Sequence, residues 1–361
     1  MNDSERVLSN LSKMRFYKEL VLDNLRVTEE GTTEKEIADL LINGIDFIIA
    51  IQLKARNEQD QTDSIEKELK WLTNKCKAAK KQVKESISSI RSGNLPSLEN
   101  GRKRQVYLSA SAEIVPLVIF MNENIGDNYP HVLYKHSEDG MDINCMSFQD
   151  FQKICRALLS PMEIVEYLKW RLTFYQTHGD VNVSIYMDDK ENITLVKPSH
   201  GEALCYQFVA ENYGRVEDQE LEQCIEGFTD FLHNLPDKVV VESEHNGSYP
   251  LVLFFAHFNR IEIVNFAKRL RKTLDAAQKG DFRCCASLRN TKQHYTIVFF
   301  STHDSYVFNI DIPDQNVLEQ IINQMGVSDF DILLEVVCYW ENSEDYHIDF
   351  GVTDKKGRYI R

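Results

Sequence analysis

Apolar residues recur along this chain with two different periods, and each period predicts a different kind of element. Residues 4–27 carry apolar side chains at helical spacing, which predicts one amphipathic helix. Residues 36–43 and 46–54 are almost wholly aliphatic, and apolar side chains on both faces of 46–54 are typical of a central, covered strand. Residues 65–91 return to helical spacing. The first quarter of the chain therefore predicts a helix, a hairpin and a second helix.

The turn of the predicted hairpin lies near Asn43–Gly44, because Asn-Gly is the strongest short hairpin signal. A two-residue turn places Asp39 opposite Ile48. A four-residue turn over 43–46 places Asp39 opposite Ala50. The sequence leaves both registers open.

Three polar side chains share one face of this hairpin in either register. Side chains alternate along a strand with a period of two, so Asp39, Gln52 and Lys54 point the same way. Only the longer turn places Gln52 on the diagonal from Asp39, about 7–8 Å away. Charged groups inside an apolar hairpin are costly unless they are paired or take part in chemistry.

The rest of the chain mixes predicted helices and strands. Strands are predicted at 113–121, 131–135, 143–147, 251–258, 284–289 and 294–301, helices at 148–159, 161–176, 202–213, 217–234, 260–278 and 317–326, hairpins at 181–198 and 331–352, and a loop at 31–36. This mixture predicts an α/β fold in two parts. We expect a first domain over residues 1–178 and a second, α+β domain of unknown role over 179–361.

Composition and charge narrow the class of protein. The 361 residues are 43% apolar, no apolar run is long enough to span a bilayer, and the N-terminus lacks a signal-peptide pattern, so we expect a cytoplasmic protein with no membrane contact. The eight cysteines show no zinc-ligand spacing, and six or more of them are expected to be reduced, buried side chains. The net charge of −15 means that contact with nucleic acid must come from a local patch or through metal ions.

The densest basic segment is the helix predicted at 65–91. Its polar face carries seven lysines: Lys67, Lys70, Lys75, Lys77, Lys80, Lys81 and Lys84. A row of lysines is also what an ordinary solvated helix face looks like. The sequence alone leaves both interpretations open.

The hairpin residues point to metal-dependent chemistry. The Asp39 carboxylate and the Gln52 amide oxygen are ligands that Mg²⁺ or Mn²⁺ accepts, with the Leu53 carbonyl as a further donor. Lys54 would orient a water or stabilise a phosphate, and Glu36 or Glu19 would complete the site.

This order of elements and motifs resembles the PD-(D/E)xK restriction-endonuclease-like nuclease superfamily, over about residues 5–176. The matching positions are Asp39 and Gln52-x-Lys54, a Q-x-K version of the motif. The resemblance implies a mixed sheet flanked by helices and a Mg²⁺-dependent endonuclease acting on DNA or RNA, in bacterial antiviral defence or repair. It also implies that Lys80, Lys81 and Gln82 touch phosphate, and it is compatible with a homodimer.

Other interpretations stay open. Asp39 could pair with Lys54 without any catalysis, Lys54 could extend its amine to water, and Gln52 could be a satisfied core amide. The domain would then be an inactive nuclease-fold scaffold. A third hypothesis is a subunit of a larger complex that binds a partner through its C-terminal half.

Overall fold

The computed structural model describes most of the first 178 residues and selected elements beyond them. The described residues are 3–28, 34–125 apart from 45, 63 and 94, 132–133, 142–178, 184–187, 193–196, 202–214, 227, 249–281, 283–290, 294–302, 332–340 and 346–354. The helix predicted at 317–326 and nearly all of the one predicted at 217–234 lie outside them.

The first half of the chain alternates helices with strands. Its elements are α1 (Asp3–Arg15), β1 (Val21–Thr28), β2 (Glu34–Asn43), β3 (Phe47–Ala55), α2 (Ile65–Arg91), β4 (Leu98–Glu99), β5 (Gln105–Val106), β6 (Glu113–Met121), β7 (Val132–Leu133), β8 (Ile143–Ser147), α3 (Phe148–Ala157) and α4 (Pro161–His178). Single 3₁₀ turns cover Glu58–Asp60 and Glu123–Ile125. The bounds of α2 and β6 confirm the predictions for these two elements.

The second half continues the mixture. Its described elements are β9 (Ser184–Met187), β10 (Ile193–Val196), α5 (Glu202–Tyr213), α6 (Tyr249–Ala256), α7 (Arg260–Gln278), β11 (Arg283–Asn290), β12 (His294–Thr302), β13 (Ile332–Trp340) and β14 (Tyr346–Asp354). Among the described helices, none is both long and apolar enough to cross a bilayer.

A mixed sheet with the strand order β1-β2-β3-β6-β8-β7 forms the centre of the first half. β1, β2 and β3 form an antiparallel meander, β3, β6 and β8 run parallel, and the two-residue β7 pairs antiparallel at the edge. The α/β class and the helix-flanked mixed sheet are thereby confirmed.

Helices cover both faces of this sheet. On one face, Leu72 and Val83 of α2 pack in a cluster with Val118 and Phe120 of β6. On the other, α3 and α4 pack against β6 and β8. β3 is buried over nearly its whole length because it lies in the middle of these layers. Gln52 and Lys54 pair in register with Val118 and Phe120, so they lie on the face covered by α2.

Two predicted elements are wrong. Residues 4–27 are not one helix, because α1 ends at Arg15 and the chain turns at Tyr17, which has a φ of +64°. The apolar residues that follow belong to the buried strand β1, and a strand buried on both faces carries no period to distinguish it from a helix. Residues 251–258 are not a strand: they fall largely in α6, whose apolar run is buried on all sides.

The predicted loop at 31–36 is partly wrong as well. β2 begins at Glu34, and Glu36 pairs with Arg26 of β1. Pairing with β1 makes residues 34–36 part of a strand, and the local composition does not reveal this pairing.

The chain forms two compact units. The first holds residues 1–217 with 255–260, and the second holds 218–254 with 261–361. The boundary expected after residue 178 therefore differs from the observed division at 217. α5 accounts for the difference, since it packs against α3, α4 and β9 of the first unit.

The segment 255–260 joins the first unit through one ion pair and one hydrogen bond. Arg260 Nε donates to Glu163 Oε1 at 2.8 Å, and the Glu163 side chain is fully buried. His257 bonds to Asp46 at the hairpin turn. The first unit thus includes a short piece of chain from far along the sequence.

The second unit contains a four-stranded sheet in the order β11-β12-β13-β14. β12 and β13 run parallel, and the outer pairs are antiparallel. Phe299 of β12 is buried against Phe266 of α7, with the ring centroids 5.1 Å apart.

Candidate functional site

The register of the β2–β3 ladder, continued one step beyond its last pair, aligns Asp39 with Gln52. Leu40 pairs with Ile51, and one further step along both strands reaches these two residues. Both predicted partners of Asp39, Ile48 and Ala50, are therefore wrong. Asp39, Gln52 and Lys54 still share one face, because the observed register differs from both predicted registers by an even number of residues.

The turn lies beyond the Asn-Gly pair. Gly44 N–H donates to Phe47 O at 2.9 Å, so strand pairing continues past Asn43. Asn43 is itself buried and held as a strand residue, since its N–H donates to Leu20 O at 2.8 Å. Gly44 is required there, because a Cβ would meet the Phe47 ring at 2.2 Å. Neighbouring strands thus override the local turn signal.

The hydrogen-bonded ladder between β2 and β3 ends at the pair Leu40–Ile51. Beyond this pair, side chains form hydrogen bonds with backbone groups of the two strands. Asp39 Oδ2 accepts a hydrogen bond from Leu53 N–H at 2.7 Å. The hydroxyl of Ser86 on α2 donates to Ile37 O. Buried backbone groups need such partners, and here these partners lie among the polar residues of the candidate site.

Three oxygen atoms surround the ammonium group of Lys54. Lys54 Nζ lies 2.9 Å from Leu53 O, 3.3 Å from Gln52 Oε1 and 3.7 Å from Asp39 Oδ2. The side chains of Lys54 and Asp39 are 10% and 11% exposed, and Gln52 is 4% exposed. These are the donors expected for a divalent cation, and they converge on one positive centre.

The amide of Gln52 is oriented by α2. Gln52 Nε2 donates to Ser86 Oγ at 3.3 Å, which leaves the amide oxygen facing Lys54. Ser86 Oγ also lies 2.8 Å from Gln82 O, one turn earlier in the helix. The hydroxyl therefore connects the helix to both strands of the hairpin.

Burial raises the pKa of the Asp39 carboxyl above its ordinary value of 3.8. The Lys54 ammonium and the Leu53 N–H act in the opposite direction, and the nearby carboxylate of Glu5 raises the pKa further. Two acidic side chains thus influence one another at this site. A bound cation would relieve their repulsion.

Glu5 is the residue that sequence reasoning missed. It lies in the first turn of α1, partly buried. No spacing rule connects it to Asp39, because the packing of α1 on the sheet brings the two together. Its only sequence signal is an acidic residue near a helix start, which is too common to identify a site.

The two other predicted acids differ in placement. Glu36 has its backbone in β2, and its side chain lies outside the described residues. Glu19 is almost fully buried, and its Oε1 accepts from Arg102 Nε at 2.9 Å. Asn100 Nδ2 donates to the Glu19 carbonyl, so Glu19 joins the segment before β1 to the β4–β5 hairpin.

The predicted phosphate-binding residues occupy different parts of α2. Gln82 lines a cavity of about 760 Å³, together with Lys54. Lys81 is 79% exposed in its side chain, with Glu85 Oε1 3.8 Å away. Lys80 is partly buried. Lys75, one of the seven lysines noted above, also lines the cavity.

The donor set at Lys54 fits a hard divalent cation. A carboxylate, an amide oxygen and a backbone carbonyl are oxygen ligands, with the Glu5 carboxylate close by. Within the described residues, no group of three or more His, Cys, Asp or Glu side chains could hold a metal. The set therefore suits an ion that keeps several of its waters, as Mg²⁺ does, once the Lys54 ammonium has moved aside.

No protein-family model matches this chain, and no curated protein matches it.

Proposed function

We propose that the first unit is a divalent-metal-dependent nuclease with a restriction-endonuclease-like fold, which hydrolyses phosphodiester bonds of DNA or RNA. The observation that carries the proposal is the convergence of the Leu53 carbonyl, the Gln52 amide oxygen and the Asp39 carboxylate within 4 Å of the Lys54 ammonium. The order of helix, acidic strand, Q-x-K strand and lysine-rich helix supports it. A role in bacterial defence or repair is part of this proposal.

Each residue of the site has a distinct role in the proposed reaction. Asp39 and Gln52 hold Mg²⁺ or Mn²⁺, and Glu5 adds negative charge beside them. A bound ion of this kind supplies Lewis-acid polarisation of the phosphoryl group. Lys54 reaches the cavity and stabilises the charge that develops on the phosphate, where low exposure strengthens its effect.

The α2 residues act on the rest of the substrate. Gln82 donates to a phosphate oxygen inside the cavity, whereas Lys80 and Lys81 attract the backbone from outside. The exposed Lys81 contributes a salt-dependent attraction rather than a fixed contact. Glu36 stays a proposed assistant of the site.

The direct test is cleavage by the full chain with Mg²⁺ or Mn²⁺. Single-stranded and double-stranded DNA and RNA are incubated with the native protein, Lys54→Ala and Lys77→Ala. Loss of a charge-stabilising group typically lowers the rate by about 10²–10³-fold, so Lys54→Ala should lose at least that much. Lys77 is exposed on the same helix and does not line the cavity, so Lys77→Ala should cleave like the native protein. Absence of cleavage with every substrate and ion would refute the proposal.

A second candidate is a nuclease-fold scaffold without catalysis. The observation that favours it is the ion pair between Lys54 and Asp39, which already satisfies the buried carboxylate. A scaffold of this kind would act through a protein partner bound by residues 179–361 or through a homodimer. Titration with Mn²⁺ separates the two candidates. A nuclease should bind Mn²⁺, and the Asp39→Asn variant should lose this binding. A scaffold should show no Mn²⁺ binding in either protein.

A further inference from the structure

The oxygen atoms of the candidate site already surround a cation, and this cation belongs to the chain itself. Leu53 O, Gln52 Oε1 and Asp39 Oδ2 lie 2.9, 3.3 and 3.7 Å from Lys54 Nζ. We call these three atoms the oxygen cluster. A hard divalent ion would use the same three oxygens as ligands. The ammonium group and a metal ion therefore cannot occupy the cluster together.

The geometry of the oxygen cluster does not depend on Lys54. Leu53 N–H donates to Asp39 Oδ2 at 2.7 Å, and the Gln52 amide donates to Ser86 Oγ at 3.3 Å. Leu53 O belongs to the backbone of β3, which pairs with β6 from end to end. Because each oxygen is held by another group, the cluster stays in place when the ammonium group leaves it.

The contacts between the ammonium group and the oxygen cluster are long. Of the three oxygens, only Leu53 O lies within the usual hydrogen-bond range of about 2.7–3.2 Å. The negatively charged oxygen, Asp39 Oδ2, is the most distant at 3.7 Å. A divalent ion carries twice the charge of an ammonium group and approaches oxygen ligands to about 2.0–2.6 Å, so the carboxylate attracts it more strongly.

The cavity beside the cluster offers the ammonium group a second position. Lys54 lines this cavity of about 760 Å³, whereas Asp39 and Gln52 do not. Glu5 lines the same cavity, so an ammonium group that rotates outward enters a space with a carboxylate on its wall. Lysine carries its charge on a flexible four-carbon stem, so rotation of the side chain is sufficient and β3 need not move.

We propose that Lys54 is a built-in competitor of the metal ion, which caps the oxygen cluster until its ammonium group rotates into the cavity. The inference rests on the proposed function for its choice of a hard divalent ion as the competing ligand. The outward position is also the one from which Lys54 stabilises charge in the proposed reaction. Metal loading and the catalytic use of Lys54 therefore belong to one state of the site.

The test is Mn²⁺ binding to the full chain without nucleic acid, measured by isothermal titration calorimetry. Lys54→Met removes the ammonium group and keeps a side chain of similar length. This variant should bind Mn²⁺ at least about tenfold more tightly than the native chain, a difference worth about 1.4 kcal/mol. Equal or weaker binding by Lys54→Met, or no binding by it, overturns the proposal.

Lys75→Met is the matched control for the general effect of charge. Lys75 lines the same cavity, and no hydrogen bond or ion pair in the described part of the chain joins it to the oxygen cluster. Because solvent and salt screen charges that do not touch, Lys75→Met should bind Mn²⁺ within about twofold of the native affinity. Equal gains in Lys54→Met and Lys75→Met overturn the proposal.

A double variant locates the ion that Lys54→Met binds. Adding Asp39→Asn to Lys54→Met removes the charged oxygen of the cluster, so the gain in Mn²⁺ affinity should disappear. Retention of the gain places the ion outside the cluster and overturns the proposal.

Thermal unfolding verifies the fold and supplies a second readout. Without metal, Lys54→Met leaves the Asp39 carboxylate without its neighbouring positive charge, so its Tm should lie below that of the native chain. At one Mn²⁺ concentration, the ion should raise the Tm of Lys54→Met more than the native Tm, because tighter binding stabilises the folded state more. If Lys54→Met does not fold, Lys54→Gln, which is neutral and keeps a hydrogen-bond donor, carries the same expectations.

The outcome is separable from that of the proposed function. Tighter Mn²⁺ binding by Lys54→Met, with no cleavage of any nucleic acid by the native chain, keeps the inference and removes the nuclease. Cleavage by the native chain, with equal Mn²⁺ affinity in the two proteins, keeps the nuclease and removes the inference.

Discussion

Asp39 Oδ2 accepts the backbone N–H of Leu53 at 2.7 Å, at the point where the ladder between their strands has ended. The same oxygen lies 3.7 Å from Lys54 Nζ. One carboxylate thus holds the end of a hairpin and balances a buried ammonium group. Changes at Asp39 are therefore expected to alter stability as well as chemistry.

Stability should depend on pH through Asp39. Burial raises the pKa of its carboxyl in the folded chain, so the folded protein binds more protons than the unfolded one as pH rises from 3.8 to the folded value. The free energy of unfolding that Asp39 contributes falls across this window, by at most about 1.4 kcal/mol per pH unit. Denaturant unfolding between about pH 3.5 and 7 should show the native protein losing stability relative to Asp39→Asn as pH rises.

Asp23 provides a control of opposite sign. Its burial raises the pKa, but hydrogen bonds from Lys13 and Ser9 outweigh this effect, and the net pKa lies below 3.8. Its contribution is present above pH 3.8 and is lost as pH falls through the folded value. The native protein should therefore lose stability relative to Asp23→Asn on acidification. The same sign in both pairs would contradict the assignment.

Ser86→Ala should destabilise the fold by about 1–3 kcal/mol. The substitution leaves the buried Ile37 carbonyl and the Gln52 amide without their partner. Denaturant titration measures the effect. Ser88→Ala, on an exposed position of the same helix, should change the free energy of unfolding by less than about 0.5 kcal/mol.

Ser86 is also a positioning residue under the proposed function. Ser86→Ala should lower the cleavage rate by releasing the Gln52 amide, and Ser86→Thr should restore part of it because the hydroxyl is retained. A rate unchanged by Ser86→Ala would separate stability from activity and refute this role.

Gln52→Glu should strengthen divalent-ion binding. It places a second carboxylate opposite Asp39, and affinity for Mg²⁺ or Mn²⁺ rises with the number of charged oxygen ligands. Isothermal titration with Mn²⁺ should show a dissociation constant at least about tenfold lower than in the native protein. The double variant with Asp39→Asn should lose this gain; retention of it would place the ion elsewhere.

Glu5→Gln should lower the pKa of Asp39. The Glu5 carboxylate raises that pKa by repulsion, and the amide removes the charge while keeping the size. Carboxyl carbon chemical shifts followed by NMR during a pH titration measure the change. Asp3→Asn, which removes an exposed acid on the same helix, should leave the titration of Asp39 in place.

Hydrophobic periodicity and the alternation of side chains along a strand predict several features of this fold correctly. The lysine-rich helix and the apolar strand after it have the predicted bounds, because each shows an unbroken pattern over many residues. The shared face of Asp39, Gln52 and Lys54 needed only the alternation of a strand. The actual register did not follow from the sequence, since Leu20 and Phe47 extend the strand through the Asn-Gly signal.

Long-range packing explains the remaining differences. Glu5 reaches Asp39, and Lys75 reaches the cavity, through the way α1 and α2 lie on the sheet. Val21, Leu22 and Leu25 belong to a buried strand, although their spacing is also compatible with a helix. The packing of helices on the sheet determines these contacts, and the local sequence pattern does not predict it.

The ion pair between Arg260 and Glu163 makes the first unit depend on residues 255–260, which lie far along the chain. A shortened chain that ends at residue 217 would lack this arginine and leave a fully buried carboxylate without its counter-charge. It would also lose the His257 side chain that bonds to the hairpin turn. Severing the C-terminal half should thus unfold the candidate site, and a loss of activity in such a truncation would not assign any role to residues 218–361.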